Sequence, residues 1–222
     1  MVAKTLCPMH PTPPPYSYQR LIQHYSYMKT IIITHPTAIE GEAKVITQAL
    51  RAGAFRIHLR RPTASEEEIA NLLEQIPEEL LPRVVLQDQQ QLAQYYPVGG
   101  IHFNCRHPFS TMEESIHRLQ YSISCHTLEE IKTYKAHMDY LFLSPIFDSL
   151  SKVGYNSAFT LQDLQEAKDL IDTKVIALGG INLQKIPLLQ KLPFGGAALL
   201  GSFWQAVPSD NYLQLLSAFV SA

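Results

Sequence analysis

The sequence predicts a single (β/α)8 TIM barrel, an α/β domain that covers residues 29–222. Eight short apolar runs alternate with amphipathic segments. Such alternation is typical of a parallel sheet joined by right-handed crossovers, and eight units close into a barrel. The rival fold, an open doubly wound sheet, would have a glycine-rich phosphate fingerprint after an early strand, and the sequence contains none.

The eight apolar runs are short enough to be strands buried on both faces. The sixth run stops at Ser144-Pro145, because proline cannot donate to a sheet ladder. The predicted strands are residues 30–34, 54–59, 83–87, 100–103, 121–124, 140–143, 174–178 and 196–200.

Helices are predicted between these strands and after the last one. Ser65 with Glu68 and Thr127 with Glu130 fit capping boxes, and Thr160 fits an N-cap. The predicted helices are residues 40–51, 65–75, 89–95, 111–118, 127–136, 160–171, 183–191 and 210–222.

The composition is that of an ordinary soluble globular protein, with 46% hydrophobic and 17% charged residues in a chain of 222. A net charge of -2 gives no electrostatic reason to expect nucleic acid or an anionic membrane as partner. No apolar run approaches the ~20 residues of a membrane span. Cys7, Cys105 and Cys125 lack C-x-x-C spacing and fit a reducing compartment, so we expect a cytoplasmic protein.

Residues 1–28 are predicted to be an N-terminal extension rather than part of the barrel. Five prolines lie between Cys7 and Pro15, which disfavours helix and sheet alike. No apolar segment follows a basic start, so the pattern is not that of a secretory signal.

Polar residues follow nearly every predicted strand, and in this fold the carboxyl ends of the strands form the active mouth. Each residue also has an ordinary explanation: His58 could be a satisfied core histidine, and Arg60 and Arg61 a solvated rim. The recurrence at one end favours a functional ring. Its members are Thr34, His35, His58, Arg60, Gln87, Asp88, His102, Asn104, Ser124, His126 and Ser144.

Three loops at this mouth favour a phosphate ligand. The loop after the sixth strand holds Ser149, Ser151 and Lys152, which supply hydroxyl donors and a positive charge. After the last two strands come Gly179-Gly180 and Gly201-Ser202, whose backbone N–H groups can point at an anion. The alternative is a solvated loop and two tight turns that need glycine for backbone reasons.

Several motifs in this order resemble thiamin-phosphate synthase and its relative, the TenI-type thiazole tautomerase. The resemblance runs from about Lys29 to Gln205. The motifs are His58-Leu-Arg60-Arg-Pro, Gln87-Asp88, Gly99-Gly-Ile-His-Phe103, Ser124-Cys-His126-Thr-x-Glu-Glu130, Ser144-Pro-Ile-Phe with Ser151-Lys152, and Gly179-Gly-Ile181.

The resemblance implies a thiazole phosphate as substrate in thiamin biosynthesis. In the synthase this substrate displaces pyrophosphate from hydroxymethylpyrimidine pyrophosphate, with Mg²⁺ and basic side chains on the leaving group. Here Pro62 replaces the family's lysine, and only Asp88 remains of the two magnesium carboxylates, the other falling near Arg106-His107. The pyrophosphate half of the site is therefore incomplete, unless Arg61, Arg106 or His107 rebuilds it.

The sequence therefore favours a TenI-like tautomerase, which moves a proton and needs no metal. The resemblance implies that His126 is the proton carrier, with Arg60 and Lys152 as further catalytic residues. Full synthase activity with Mg²⁺ and a non-catalytic barrel that only binds thiazole phosphate stay open, as does a homo-oligomer. The substrate-binding residues implied are His58, Gln87, Asp88, Ser124, Ser149, Ser151, Gly179, Gly180, Gly201 and Ser202.

Overall fold

The structure, a computed structural model, describes residues 28–109, 119–148 and 157–222. Within these ranges eight parallel strands pair in chain order, and the last strand pairs with the first to close a barrel. The predicted (β/α)8 TIM barrel is confirmed.

The strands lie where the apolar runs predicted them, with ends shifted by at most two residues. Every residue of β3, β4, β6 and β8 is buried, as expected for strands covered on both faces. The bounds are β1 Lys29–Ile33, β2 Arg56–Leu59, β3 Val84–Leu86, β4 Gly100–Phe103, β5 Gln120–Cys125, β6 Tyr140–Leu143, β7 Val175–Leu178 and β8 Gly196–Leu199.

Seven α-helices and four 3-10 helices are found in the described part of the chain. The α-helices are α1 Glu42–Arg51, α2 Glu66–Glu74, α3 Leu128–Tyr134, α4 Leu161–Glu166, α5 Ile186–Leu189, α6 Gly201–Ala206 and α7 Tyr212–Val220. The 3-10 helices are Glu78–Arg83, Gln90–Gln94, Leu183–Lys185 and Val207–Ser209.

Helix starts match the sequence prediction better than helix lengths. The predicted capping boxes at Ser65 and Thr127 are confirmed, and Thr160 forms a third box with Asp163. The segment predicted as one helix over 183–191 is instead a 3-10 turn followed by α5, with Pro187 in the first turn of α5. Proline has no N–H to donate, so it suits a helix start and interrupts a continuous helix.

The barrel has two apolar layers. The larger one lies between the sheet and the surrounding helices. The smaller one fills the barrel interior with Ile31, Ile33, Tyr140, Phe142 and Ile176, together with Ala198. This packed interior means that the barrel is not a pore, and any ligand must bind at a mouth.

The C-terminal part of the chain is tied to the barrel by Trp204 of α6. Its buried indole N–H donates to the carbonyl oxygen of Ile33 at 2.7 Å. Since α6 follows β8 directly, this bond fixes the β8 end of the mouth to β1.

Three predictions fall on residues that the structure does not describe. They are the extension at residues 1–28 except for Met28, the helix at residues 111–118, and the loop with Ser149, Ser151 and Lys152. Among the described residues no helix is long and apolar enough to cross a membrane.

Candidate active site

Asp88, directly after β3, is a buried carboxylate at the mouth of the barrel, only 3% exposed. Its Oδ2 accepts a hydrogen bond from the backbone N–H of Arg61 at 2.8 Å. Its Oδ1 accepts from Nε and Nη2 of Arg106 at 3.2 and 3.0 Å, and Nε2 of His107 lies 3.4 Å away. Both carboxylate oxygens are therefore occupied by protein groups.

The two neighbouring arginines of the second strand end have different surroundings. Arg61 is buried and pairs with the carboxylate of Glu42. Burial raises the pKa of Glu42 above its ordinary value, although Arg61 acts in the opposite direction. Arg60 is half-buried, and its guanidinium donates no hydrogen bond to any residue that the structure describes. Burial lowers the pKa of Arg60, and the charge of Arg106 lowers it further, while Asp88 raises it.

A magnesium ion does not fit the residues around Asp88. Mg²⁺ requires oxygen ligands in near-octahedral geometry at about 2.0–2.1 Å. The single carboxylate here is engaged by Arg61 and Arg106, and the guanidinium of Arg106 would repel a cation. Throughout the described ranges no group of three or more His, Cys, Asp or Glu residues could hold a metal.

The structure places His58 inside the barrel rather than at the mouth, and it is 0% exposed. One ring nitrogen lies 3.2 Å from the side-chain amide of Gln87, and the other lies 2.7 Å from the hydroxyl of Tyr140. The expectation that His58 faces the mouth is therefore wrong, because both nitrogens are used internally. Gln87, directly after β3, is itself buried, and His58 holds its side-chain amide in place.

His102 is likewise inside the barrel, with its ring centroid 5.1 Å from that of His58. Its nitrogens lie 2.9 Å from the hydroxyl of Ser122 and 2.8 Å from that of Ser124. Burial lowers the pKa of His102 to about 3, and burial also lowers the pKa of His58 well below its ordinary value. Both rings are therefore neutral at pH 7, and they position Gln87 and Ser124.

His126, by contrast, is an exposed side chain after β5. Its Nδ1 lies 3.0 Å from the carbonyl oxygen of Ser144 and 3.3 Å from the Ser144 hydroxyl. Since a carbonyl only accepts, Nδ1 carries a hydrogen, and Nε2 is the ring nitrogen left for a ligand. The capping box of α3 fixes the backbone here, because Glu130 accepts from the N–H groups of both His126 and Thr127.

The glycine turn after β7 packs directly on the loop that follows β6. Gly180 has φ +63°, and a Cβ atom there would lie 2.4 Å from the carbonyl oxygen of Asp148. Gly179 has φ +97°, and its Cβ would lie 2.8 Å from Cα of Pro145. Both glycines are thus required by the backbone, and they bring the sixth and seventh loops together as a phosphate site needs.

Ser202, at the start of α6, has a buried hydroxyl for which the described residues provide no hydrogen-bond partner. A buried hydroxyl without a partner costs free energy, so a native one needs an explanation. A phosphate oxygen held beside Gly201 and Ser202 would supply the missing acceptor. Ser149, Ser151 and Lys152, predicted for the same site, lie outside the described residues.

The groups that hold the histidines of the site in position were not predicted from the sequence. Tyr140 and Ser122 connect the two buried histidines, and the Ser144 carbonyl orients His126. Alternating polar residues in otherwise apolar strands were the available signal for Ser122, whereas a backbone carbonyl has no sequence signal.

The fold is that of the (β/α)8-barrel class, with polar side chains of histidine, arginine, glutamine and aspartate following its strands. A family profile described as thiamine monophosphate synthase, TMP-TENI, matches residues 30–202. The chain therefore belongs to the thiamine monophosphate synthase/TenI family of thiamine biosynthesis, as the motifs predicted.

Individual relatives agree with this assignment. The thiamine-phosphate synthase of Latilactobacillus sakei is 26% identical over 210 residues, which cover 90% of this chain and 92% of the relative. A crystal structure of thiamine phosphate pyrophosphorylase from Bacteroides thetaiotaomicron has a TM-score of 0.74 and 35% identity, and covers 87% of this chain and 95% of that one. Thiamine phosphate pyrophosphorylase from Pyrococcus furiosus has a TM-score of 0.72 at 18% identity, with 88% and 96% covered, which shows the shared fold.

Proposed function

We propose that this protein binds a thiazole phosphate at the C-terminal mouth and catalyses a metal-free proton transfer, as a thiazole tautomerase does. The observation that carries the proposal is the environment of His126. Its Nδ1–H donates to the Ser144 carbonyl, and no described residue hydrogen-bonds Nε2. A neutral imidazole with a free Nε2 is suited to take a proton from a bound substrate.

The chemistry is an isomerisation, so its atoms balance without a co-reactant. Nε2 of His126 removes a proton from the non-aromatic thiazole, and the pair of electrons that is left moves into the ring. The imidazolium that forms keeps its Nδ1–H bond to Ser144, which stabilises the positive charge. The same nitrogen then returns a proton to a different atom of the substrate, and the thiazole becomes aromatic.

Substrate binding is assigned to the residues around His126. The turns at Gly179-Gly180 and Gly201-Ser202 bind the phosphate, together with Ser149, Ser151 and Lys152 of the sixth loop. Support comes from the unpartnered Ser202 hydroxyl and from the contact between the sixth and seventh loops. Gln87 and Ser124, each held by a buried histidine, supply polar contacts to the thiazole.

The second candidate is the synthase reaction, which joins a thiazole phosphate to hydroxymethylpyrimidine pyrophosphate. The names of the relatives favour it, and the structurally similar Bacteroides protein is 35% identical. The occupied carboxylate of Asp88 speaks against it in its magnesium-dependent form.

Two parallel assays of the purified full chain distinguish the candidates. The first supplies the non-aromatic tautomer of thiazole carboxylate phosphate in EDTA and follows its aromatisation. The second supplies thiazole phosphate, hydroxymethylpyrimidine pyrophosphate and Mg²⁺. We expect aromatisation in the first and its loss in His126→Ala. Thiamin phosphate formed in the second assay, with no aromatisation in the first, would overturn the tautomerase proposal. Binding of thiazole phosphate without either reaction would identify a non-catalytic barrel.

A further inference from the structure

The turn after β4 is built to hold Arg106 against Asp88. The Asn104 side-chain oxygen accepts from the backbone N–H groups of Arg106 and His107, and the backbones of Asn104 and His107 exchange two hydrogen bonds. This turn sets the position of Arg106, whose guanidinium uses only Nε and Nη2 to contact Asp88. The remaining N–H groups of Arg106 donate to no residue in the described ranges.

Both oxygens of the Asp88 carboxylate are used by contacts within the protein. Oδ2 holds the Arg61 backbone, and Oδ1 holds Arg106 with His107 beside it. A divalent ion would need Oδ1, and it would have to displace a hydrogen-bonded guanidinium from a carboxylate that is 3% exposed. The guanidinium of Arg106 thus neutralises the carboxylate on which a magnesium ion would depend.

The local charge balance favours an anion. Glu42 pairs with Arg61 inside the domain, so Arg61 adds no unpaired charge at the mouth. Arg60 and Arg106 remain. Among the described residues, the carboxylate of Asp88 forms an ion pair with Arg106 and is near enough to Arg60 to raise its pKa. Two guanidinium groups against one carboxylate leave an excess positive charge, and their planar N–H arrays match oxyanions with two or more oxygens.

We propose that Arg60 and Arg106 form a metal-independent oxyanion site that binds a second anionic group of the substrate. Asp88 is a positioning residue in this site, since it acts by holding Arg106. The inference rests on the proposed function for the identity of the substrate. The group is the thiazole carboxylate if the protein is a tautomerase, and the diphosphate of the pyrimidine substrate if it is a synthase.

The test measures binding by calorimetry to the full-length protein in EDTA, with three probes: thiazole phosphate, thiazole carboxylate phosphate and inorganic pyrophosphate. We expect Arg106→Ala to weaken the binding of thiazole carboxylate phosphate, of pyrophosphate, or of both by about tenfold or more, as for a lost charged hydrogen bond. Thiazole phosphate, which lacks the second group, should bind Arg106→Ala as it binds the wild type. Arg51→Ala, which removes an arginine with a 63% exposed side chain, is the matched control and should change none of the three.

The probe whose affinity falls in Arg106→Ala identifies the natural anionic group as the carboxylate or the diphosphate. Either result supports the proposed oxyanion site. Unchanged binding of both probes to Arg106→Ala would overturn it. Failure of wild-type protein to bind thiazole phosphate would overturn the proposed function instead, and the pyrophosphate measurement would still test the site.

The absence of a metal is tested separately by Mn²⁺ titration followed by electron paramagnetic resonance. We expect no bound Mn²⁺ at millimolar concentration in the wild type and a gain of binding in Arg106→Asp, which restores a carboxylate beside Asp88. Wild-type Mn²⁺ binding that is lost in Asp88→Asn, or pyrophosphate binding that requires the metal, would contradict the inference. Arg106→Lys should retain part of the anion affinity, because lysine keeps the positive charge but lacks the planar set of N–H donors of a guanidinium.

Discussion

We expect the two buried histidines, His58 and His102, to make the stability of the protein depend on pH. His102 has a pKa of about 3 in the folded protein, because burial disfavours its charged form, against an ordinary value of 6.5 when the chain is unfolded. The unfolded state therefore binds more protons below pH 6.5. The stability that this neutral histidine contributes is complete above pH 6.5 and is lost as the pH falls from 6.5 towards 3.

The expected magnitude follows from the difference in pKa. Each pKa unit corresponds to about 1.4 kcal/mol, so at pH 5 the free energy of unfolding should be about 2 kcal/mol lower than at pH 7.5 from His102 alone. His58 changes stability in the same direction, since burial lowers its pKa as well.

Urea unfolding at pH 7.5, 6 and 5, followed by circular dichroism, measures this loss. The range ends above the ordinary pKa values of carboxylates. Burial raises the pKa of Glu42, so the comparison with a histidine variant is needed to isolate the effect of His102. His102→Gln should reduce the difference between pH 7.5 and pH 5 by about 2 kcal/mol, although it lowers stability at pH 7.5. The control His137→Gln, which removes an exposed histidine, should keep the wild-type difference. A wild-type stability that stays constant from pH 7.5 to pH 5 would contradict the lowered pKa of His102.

Three further substitutions test the site and its supports. Ser202→Ala should weaken thiazole phosphate binding by about tenfold in calorimetry while leaving the urea midpoint nearly unchanged, because its hydroxyl has no partner among the described residues; a large fall in stability with normal binding would contradict this. Gly180→Ala should lower both stability and thiazole phosphate binding, since its Cβ would lie 2.4 Å from the Asp148 carbonyl at a φ of +63°; a variant with unchanged melting temperature and affinity would disprove the close contact. Trp204→Phe should cost about 1–3 kcal/mol in urea unfolding, because it leaves the buried Ile33 carbonyl without its donor; a cost near zero would show that this bond is replaced.

The fold was predictable because its signals are local and repeated. Each strand is a short apolar run, and each box such as Ser65 with Glu68 marks a helix start in four residues. Helix ends were less predictable, because α4 stops at Glu166 without a proline or glycine to mark it, five residues before the predicted end. The residues that follow the strands could be predicted to lie at one mouth of the barrel, since the topology alone brings the strand ends together.

The orientation of individual side chains could not be predicted in the same way. His58 and Gln87 both come from strand ends, yet both are buried, and the side-chain amide of Gln87 lies 3.2 Å from the ring of His58. The pairings of Arg61 with Glu42 and of Arg106 with Asp88 join residues 19 and 18 positions apart, which no local pattern specifies. These pairings decide which arginines remain available to a ligand.

The decisive measurement is the rate at which the full-length protein in EDTA aromatises the non-aromatic tautomer of thiazole carboxylate phosphate, with His126→Gln measured in parallel. Glutamine keeps a hydrogen-bonding group at this position but cannot exchange a proton near neutral pH. The proposed role of His126 predicts catalysis by the wild type, a loss of 10²-fold or more in kcat for the variant, and similar binding of thiazole phosphate by both. Equal rates for the two proteins, or no aromatisation by the wild type, would contradict it.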